Sequence, residues 1–338
     1  PSRIAGPGEQ VGLDELALAA RNHGMPLELM RHDVTPLGAH YLLTHYDIPA
    51  IDPASWRLAV GGLVERPLSL SLAELRARPA VTRTVTMECA GNGRARLHPR
   101  PVSQPWLVEA VGTMSWTGTP LSDVLAAAGV LDSAVDLVFV GADHGVERGV
   151  EQDYARSLSV RDALHGDALL VWACNGVDLP PQHGFPLRLL VPGWYGMASV
   201  KWLHRISLIA EPFRGFFQAD RYVIDGETLG PIAPRALITS PADGGAVAAG
   251  APVTIGGFAW SGAGPVTAVD LSADGGSTWW SADLGPAPSP VAWRAFASSW
   301  TPDPSAAGGW VDLLARASDA AGATQPLEQN WNALGYRN

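Results

Sequence analysis

Arg83-Thr84-Val85-Thr86-Met87-Glu88-Cys89-Ala90-Gly91-Asn92-Gly93-Arg94 begins with threonines alternating with apolar side chains and closes on two glycines around an asparagine. The first half reads as a half-buried strand, and Gly-Asn-Gly demands a sharp turn directly after it. Cys89 therefore sits at a strand end facing a loop, where side chains commonly meet ligands. Two readings of this thiol stay open: a small buried hydrophobe before a turn, or a thiolate favoured by Arg94 five residues on and suited to a soft metal. Cys174 lies inside the apolar run Leu169–Cys174 and reads as core. Two cysteines form neither a disulfide scaffold nor a zinc-ribbon spacing.

Outward from this strand, the pattern is mixed. Leu13, Leu16, Ala17 and Ala20 predict a helix over Leu13–Arg21, Ser71 and Glu74 form a capping-box signature, and Leu121–Ala128 reads as a helix ended by Gly129. Val135–Val140 and Ala168–Cys174 read as strands. After about residue 232 the chain changes character: Ala236–Ser240, Pro252–Trp260, Val266–Ser272, Thr278–Ser281, Ala292–Trp300 and Trp310–Ala317 are strand-like runs separated by Gly, Pro, Asp and Ser. That spacing predicts a β-sandwich of about 100 residues and immunoglobulin-like size, with a hairpin turn at Ala273–Ser277. The expected class is α+β, divided into residues 1–232 and 233–338.

The 338 residues carry 33 Asp and Glu against 23 Lys and Arg, a formal charge of −10, which excludes a nucleic-acid binder held by a global basic field. No apolar run approaches the roughly 18–20 residues of a membrane span, so a soluble protein is expected. Pro1–Pro7 shows neither an apolar signal core nor a twin-arginine pair, which leaves periplasm and cytoplasm both open. GxSxG, GxxxxGK, HExxH and GxGxxG motifs are all missing, which sets aside the serine-hydrolase elbow, the phosphate loop, the zinc-protease helix and the dinucleotide fingerprint.

Two further segments place functional side chains in Gly- and Pro-rich loops. His183-Gly-Phe-Pro-Leu-Arg188 leads through Pro192-Gly193-Trp-Tyr-Gly196 to Ser199-Val200-Lys201-Trp202, where backbone can approach a ligand closely while cations meet a phosphate or another anion. Taken alone, a scatter of surface cations explains this segment equally simply. Tyr41-Leu42-Leu43-Thr44-His45 leads to Pro49, and a lone histidine there is ordinarily just a satisfied polar residue.

In combination, Cys-Ala-Gly-Asn followed by Arg94, His-Gly-Phe-Pro-x-Arg, and Pro-Gly-x-x-Gly-x-x-x-Val-Lys-Trp-Leu, in this order ahead of a sandwich, resemble the sulfite oxidase family of molybdenum enzymes. The resemblance covers roughly residues 35–338. It implies a Mo-molybdopterin cofactor with Cys89 as the protein ligand of the metal. By the same match, pterin and phosphate fall to Tyr41, Leu42, Leu43, Thr44, His45, Asp143, His183, Arg188, Ser199, Val200 and Lys201. Tyr222 matches the family's tyrosine near the metal, although Arg221 replaces the usual Asp before it. Arg94 matches one pocket arginine, and Arg294 is expected to supply another from the sandwich.

Leu43 stands where the family carries an oxyanion-binding arginine, a loss worth about 1.5–3 kcal/mol of binding. Arg31, His32, Arg96 and His98 are candidates to rebuild the pocket. The implied activity is oxidation of sulfite to sulfate by oxygen-atom transfer. The alternative keeps the cofactor and changes the substrate, as in sulfane dehydrogenases or S-oxide and N-oxide reductases. No CxxCH haem motif occurs, so electrons are expected to pass to an external acceptor such as cytochrome c. The family's sandwich dimerises, which implies a homodimer.

Overall fold

Strand β3 (Val81–Glu88) forms where alternation predicts it, and pairs antiparallel with β4 (Val111–Pro120) from Val81 opposite Gly118 to Glu88 opposite Val111. Beyond β4 lies β7 (Leu169–Cys174), whose other edge is shared by β8 (Val177–Asp178) and β9 (Arg188–Leu190). The computed structural model describes residues 20–337, so the helix expected at Leu13–Arg21 lies outside the described residues apart from its last two, which are in a turn.

A second sheet has the order β2 (Leu68–Leu70), β1 (Leu58–Gly62), β10 (Leu203–Ile209), β5 (Asp136–Glu147) and β6 (Val150–Ser159); only β1 and β10 run parallel. Among the described residues, four short helices flank the sheets: α1 (Leu72–Arg76), α2 (Leu121–Ala128), α3 (Val160–His165) and α4 (Phe216–Ala219). The capping box is present, the Ser71 hydroxyl accepting from the Glu74 amide while the Glu74 carboxylate accepts from the Ser71 amide. β5 runs seven residues past its expected end, because it continues into a hairpin with β6 across a register shift between Val140 and His144. That irregularity turns Asp143 inward and His144 outward.

After a small hairpin, β11 (Val223–Ile224) with β12 (Glu227–Thr228), the chain forms the expected sandwich. One sheet is β13 (Arg235–Ser240), β14 (Val253–Trp260), β18 (Arg294–Trp300) and β17 (Asp283–Leu284); the other is β16 (Trp280–Ser281), β15 (Val266–Ser272) and β19 (Leu314–Asp319). Ile255, Val269, Leu271, Phe296 and Ala317 fill the space between them. Two expected strands are shorter than predicted. Asp274 holds the amide and hydroxyl of Thr278 in the turn, so β16 starts only at Trp280. The run after Gly308-Gly309 finds no strand partner until Leu314, which leaves Trp310 87% exposed.

The sandwich is keyed into the rest of the chain. Trp260 and Trp293, both fully buried, belong to the same apolar cluster as Leu58, Leu125 and Ile206. Gly193 and Gly262 meet backbone to backbone: a Cβ on Gly262 would lie 1.7 Å from the Gly193 carbonyl oxygen, so only glycine permits the contact. The Glu88 carboxylate, at the end of β3, accepts from Arg235 Nη1, Trp260 Nε1 and Asn92 Nδ2, each at 2.9 Å. Among the described residues, no helix is long and apolar enough to cross a membrane.

Candidate active site

Immediately past β3, the Cys89 amide donates to the Ala110 carbonyl, and the chain then turns through Asn92 N–H to Cys89 C=O and Arg94 N–H to Gly91 C=O. Arg94 curls back over Gly91, where a Cβ would fall 2.3 Å from its guanidinium. Cys89 thus faces a cavity with about 620 Å³ of atom-free space, part of it open to solvent. The same wall carries Tyr41, Leu42, Leu43, His45, Asp143, His183, Arg188, Ser199, Lys201 and Tyr222, so the three sequence segments do converge on one place.

Each segment is fixed by identifiable contacts. Asn22 Oδ1 takes the Thr44 amide at 2.6 Å, and Leu42 pairs with His23, which seats the 41–45 loop. Arg188 on β9 lies over the Trp116 ring at 5.2 Å and donates to the His183 carbonyl. Lys201 Nζ donates to the Leu43 and Gln182 carbonyls at 2.9 and 3.2 Å and sits 4.2 Å from the Trp202 ring centre. The Ser199 hydroxyl accepts from the Val191 amide.

Several expected residues lie elsewhere. Thr44 turns to Asn22 and Val200 is fully buried; neither lines the cavity. Arg31, His32, Arg96 and His98 are exposed and outside it. The placement of Arg294 in the pocket is corrected: its guanidinium donates to the Gly285 and Val266 carbonyls within the sandwich, which fixes it far from any cavity role. Arg94 stands behind the wall, with Nε on the Leu334 carbonyl and Nη1 on the Gln104 carbonyl, each at 2.9 Å.

Other site residues escaped the sequence reading. His40 stacks on Tyr41 at 4.9 Å and meets His183 edge-on at 5.7 Å. Tyr154 stacks on His45 at 5.2 Å. Arg221, noted in the sequence only as a departure from a motif, adds a positive charge that acts on both His45 and Tyr336. Tyr336, from the end of the sandwich, stacks on Tyr222 at 5.3 Å with their planes 27° apart. None of these positions has a spacing signal; the folded chain alone brings them together.

Burial dominates the electrostatics. It drives the Cys89 thiol up, with Arg94 pulling it back, and it drives Lys201 well below and Arg188 down to about 10. His45 is pushed down to about 3 by burial and then by Arg221, while burial raises Tyr222. Tyr222 Oη and Nε2 of the neutral His45 imidazole share a hydrogen bond of 2.7 Å, whose direction is set by the imidazole tautomer.

Arg188 Nε and Asp143 Oδ1 are buried with no partner among the described residues. Two buried cations, an unpaired guanidinium N–H and an inward carboxylate call for a ligand that is anionic at one end and offers N–H groups at another. A phosphorylated pterin has that chemistry, and the thiol across the cavity suits a soft metal.

Comparison with known proteins supplies such a ligand. Residues 45–217 match the family model described as "Oxidoreductase molybdopterin binding domain", and residues 232–338 match "Mo-co oxidoreductase dimerisation domain". Sulfite oxidase from Gallus gallus is 36% identical over 92% of this chain and 72% of its own. The mitochondrial sulfite oxidase of Mus musculus is 37% identical over 77% of this chain, and the match spans 51% of that protein, about half its length. The crystal structure of the sulfane dehydrogenase SoxCD from Paracoccus pantotrophus superposes with a TM-score of 0.77 at 30% identity, over 90% of this chain and 77% of that one.

The buried histidines generate a test. Burial lowers His40 to about 4 and His183 to about 2, so in the cofactor-free fold both stay neutral while the unfolded chain takes up protons below about 6.5. Their contribution is fully present above pH 6.5 and is lost as pH falls. Between pH 6 and 4 each histidine should steepen the loss of stability by about 1.4 kcal/mol per pH unit. Urea unfolding of the apoprotein against pH should show a slope for His183→Gln reduced by that amount; an unchanged slope would contradict the assignment.

Proposed function

The chain belongs to the sulfite oxidase family of molybdopterin-dependent oxidoreductases, and we propose that this molybdenum-dependent enzyme oxidises sulfite to sulfate by oxygen-atom transfer. The balance is sulfite plus water to sulfate, two protons and two electrons, the electrons passing to an external acceptor such as cytochrome c. When bound, the molybdenum cofactor supplies the two-electron centre and the transferable oxygen.

In this reading Cys89 is the metal's protein ligand. Arg188 and Lys201 take the phosphate end, where a fixed anion returns both cations to their ordinary basicity. Asp143 accepts from pterin N–H groups through the oxygen that lacks a partner. His183 and Ser199 line the same cavity, as do Tyr41, Leu42, Leu43 and His45 of the 41–45 loop. Tyr222 lines the cavity beside Cys89, its hydroxyl held by the hydrogen bond it shares with His45 Nε2.

The observation that carries the sulfite reading is that Cys89 and Tyr222 line one cavity, with the charges of Arg94 and Arg221 acting on them from behind its wall. Arg221 supplies a cation that Leu43 and Arg294 do not. The three oxygens of pyramidal, dianionic sulfite suit charge-assisted contacts, each worth about 1.5–3 kcal/mol. Arg221→Ala should therefore raise KM for sulfite about 10- to 100-fold with kcat little changed, read by sulfite-dependent reduction of ferricyanide or cytochrome c by the molybdenum-loaded protein.

A second reading is favoured by Leu43 and by the likeness to a sulfane dehydrogenase: the same cofactor acting on a sulfane sulfur. Turnover of a persulfide exceeding that of sulfite, with sulfite KM indifferent to Arg221, would select it.

We also assign residues 1–232 to cofactor binding and 233–338 to self-association. A groove along the sandwich carries Trp310, 87% exposed, beside Val311 and Leu327, and a second copy of the chain is the occupant proposed for it. Trp310→Glu should shift the molar mass measured by light scattering from twice to once that of the 35.6 kDa chain; an unshifted dimer would place the interface elsewhere.

A further inference from the structure

The last residues of the sandwich do not stop at its edge. They return to the loop that carries Cys89 and are attached to it at three points: Gln329 Nε2 donates to the Gly93 carbonyl at 3.3 Å, the Leu334 carbonyl accepts from Arg94 Nε at 2.9 Å, and the Arg337 amide donates to the Ala90 carbonyl at 3.0 Å. Within the tail, Asn332 acts as a bracket, its Nδ2 donating to the Tyr336 carbonyl at 2.8 Å and its Oδ1 accepting the Tyr336 amide at 3.0 Å. Gly335 has φ +63, and a Cβ there would fall 2.6 Å from Arg94 Cγ, so the tail lies directly against the Arg94 side chain.

This bracket places the Tyr336 ring, 2% exposed, between the two groups the proposed chemistry needs most. One face stacks on Tyr222, and the Arg94 guanidinium carbon lies 5.2 Å from the ring centre. The Tyr222 amide also hydrogen-bonds Tyr336, and Tyr222 itself has φ +50, a conformation that a tyrosine adopts only when its surroundings hold it there. Arg94 has two of its donors on backbone carbonyls, one of them in the tail itself, and the Tyr336 ring packs against the same guanidinium.

We propose that Tyr336 is a positioning residue of the substrate chamber: its ring, delivered by the C-terminal tail of the sandwich, holds the Tyr222 ring on the cavity wall and the Arg94 guanidinium behind it, so that an oxyanion beside Cys89 meets both the hydroxyl and the charge in place. The second domain thereby enters the active site through an aromatic side chain, not through Arg294. The inference rests on the reading of the cavity as a molybdenum-dependent oxyanion site, and the choice of probe separates the two.

The probe is sulfate, an oxyanion that binds without turnover. Its dissociation constant is measured on the molybdenum-loaded protein by calorimetry, alongside KM and kcat for sulfite. Tyr336→Leu keeps apolar volume but loses the stack and the cation contact; Tyr336→Phe keeps both. The expected result is a sulfate dissociation constant and a sulfite KM at least 10-fold higher in Tyr336→Leu with molybdenum content unchanged, and within threefold of wild type in Tyr336→Phe. Sulfate affinity unchanged in Tyr336→Leu, or a Tyr336→Phe variant as weak as Tyr336→Leu, would overturn the proposal. Should Tyr336→Leu fail to load molybdenum, Asn332→Ala decides instead: it loosens the tail without touching the chamber, and a sulfate affinity equal to wild type there would overturn the proposal. Wild-type protein that binds sulfate but does not oxidise sulfite would count against the function proposed above and leave the Tyr336 result readable.

Discussion

The Glu88 carboxylate ties the molecule together. It is 2% exposed, and its acceptor sites are taken by a guanidinium and an indole from the sandwich and by an amide from the Cys89–Arg94 loop. A buried carboxylate is costly unless it is fully paired, so the strand end, the loop and the sandwich have to arrive together. Burial drives Glu88 up, and Arg235 with the Trp260 and Asn92 donors opposes it, so the partners that the docked sandwich brings are what offset the burial. Cys89 is the next residue. Its direction toward the cavity is thus set from behind by Glu88, from one side by the Ala110 carbonyl, and from the other by the tail on the Ala90 carbonyl.

Across the cavity the opposite device operates. Arg188 and Lys201 are buried against carbonyls and aromatic faces, with an unpartnered Arg188 Nε, and neither has a carboxylate ion-pair partner among the described residues. Desolvation lowers both, a cost that an anion in the cavity removes. The fold therefore stores a preference for an anion in groups that stay under-solvated without one. The same logic explains the neutral histidines: His40, His45 and His183 offer hydrogen bonds without adding positive charge to a wall that already has enough.

Local pattern made much of this legible. The β3 alternation, the Ser71 capping box and the punctuated strands of the sandwich are short-range signals, and they survive folding. Cys89, His183, Arg188 and Lys201 stood out because motifs keep them at fixed offsets, and they do share one cavity. What escaped was long-range. Tyr336 reaches Tyr222 from more than a hundred residues away, and Arg221 looked like a flaw in a motif until the fold put it beside His45. Arg294 failed for the converse reason: a cation in a promising sequence context had closer carbonyls in its own sheet. The bulge that turns Asp143 inward is equally invisible to period-two alternation, which would have placed Asp143 and His144 by parity alone.

The central claim is that this strand end presents one thiolate to a molybdenum centre. Molybdenum K-edge absorption on the purified protein tests it without reference to any substrate. A metal held by one dithiolene and Cys89 has three sulfur neighbours, and the account predicts three in wild type, two in Cys89→Ser, with about one molybdenum per chain in wild type. A sulfur shell that is the same in both proteins, or a wild-type chain without molybdenum under molybdate-replete expression, would contradict it.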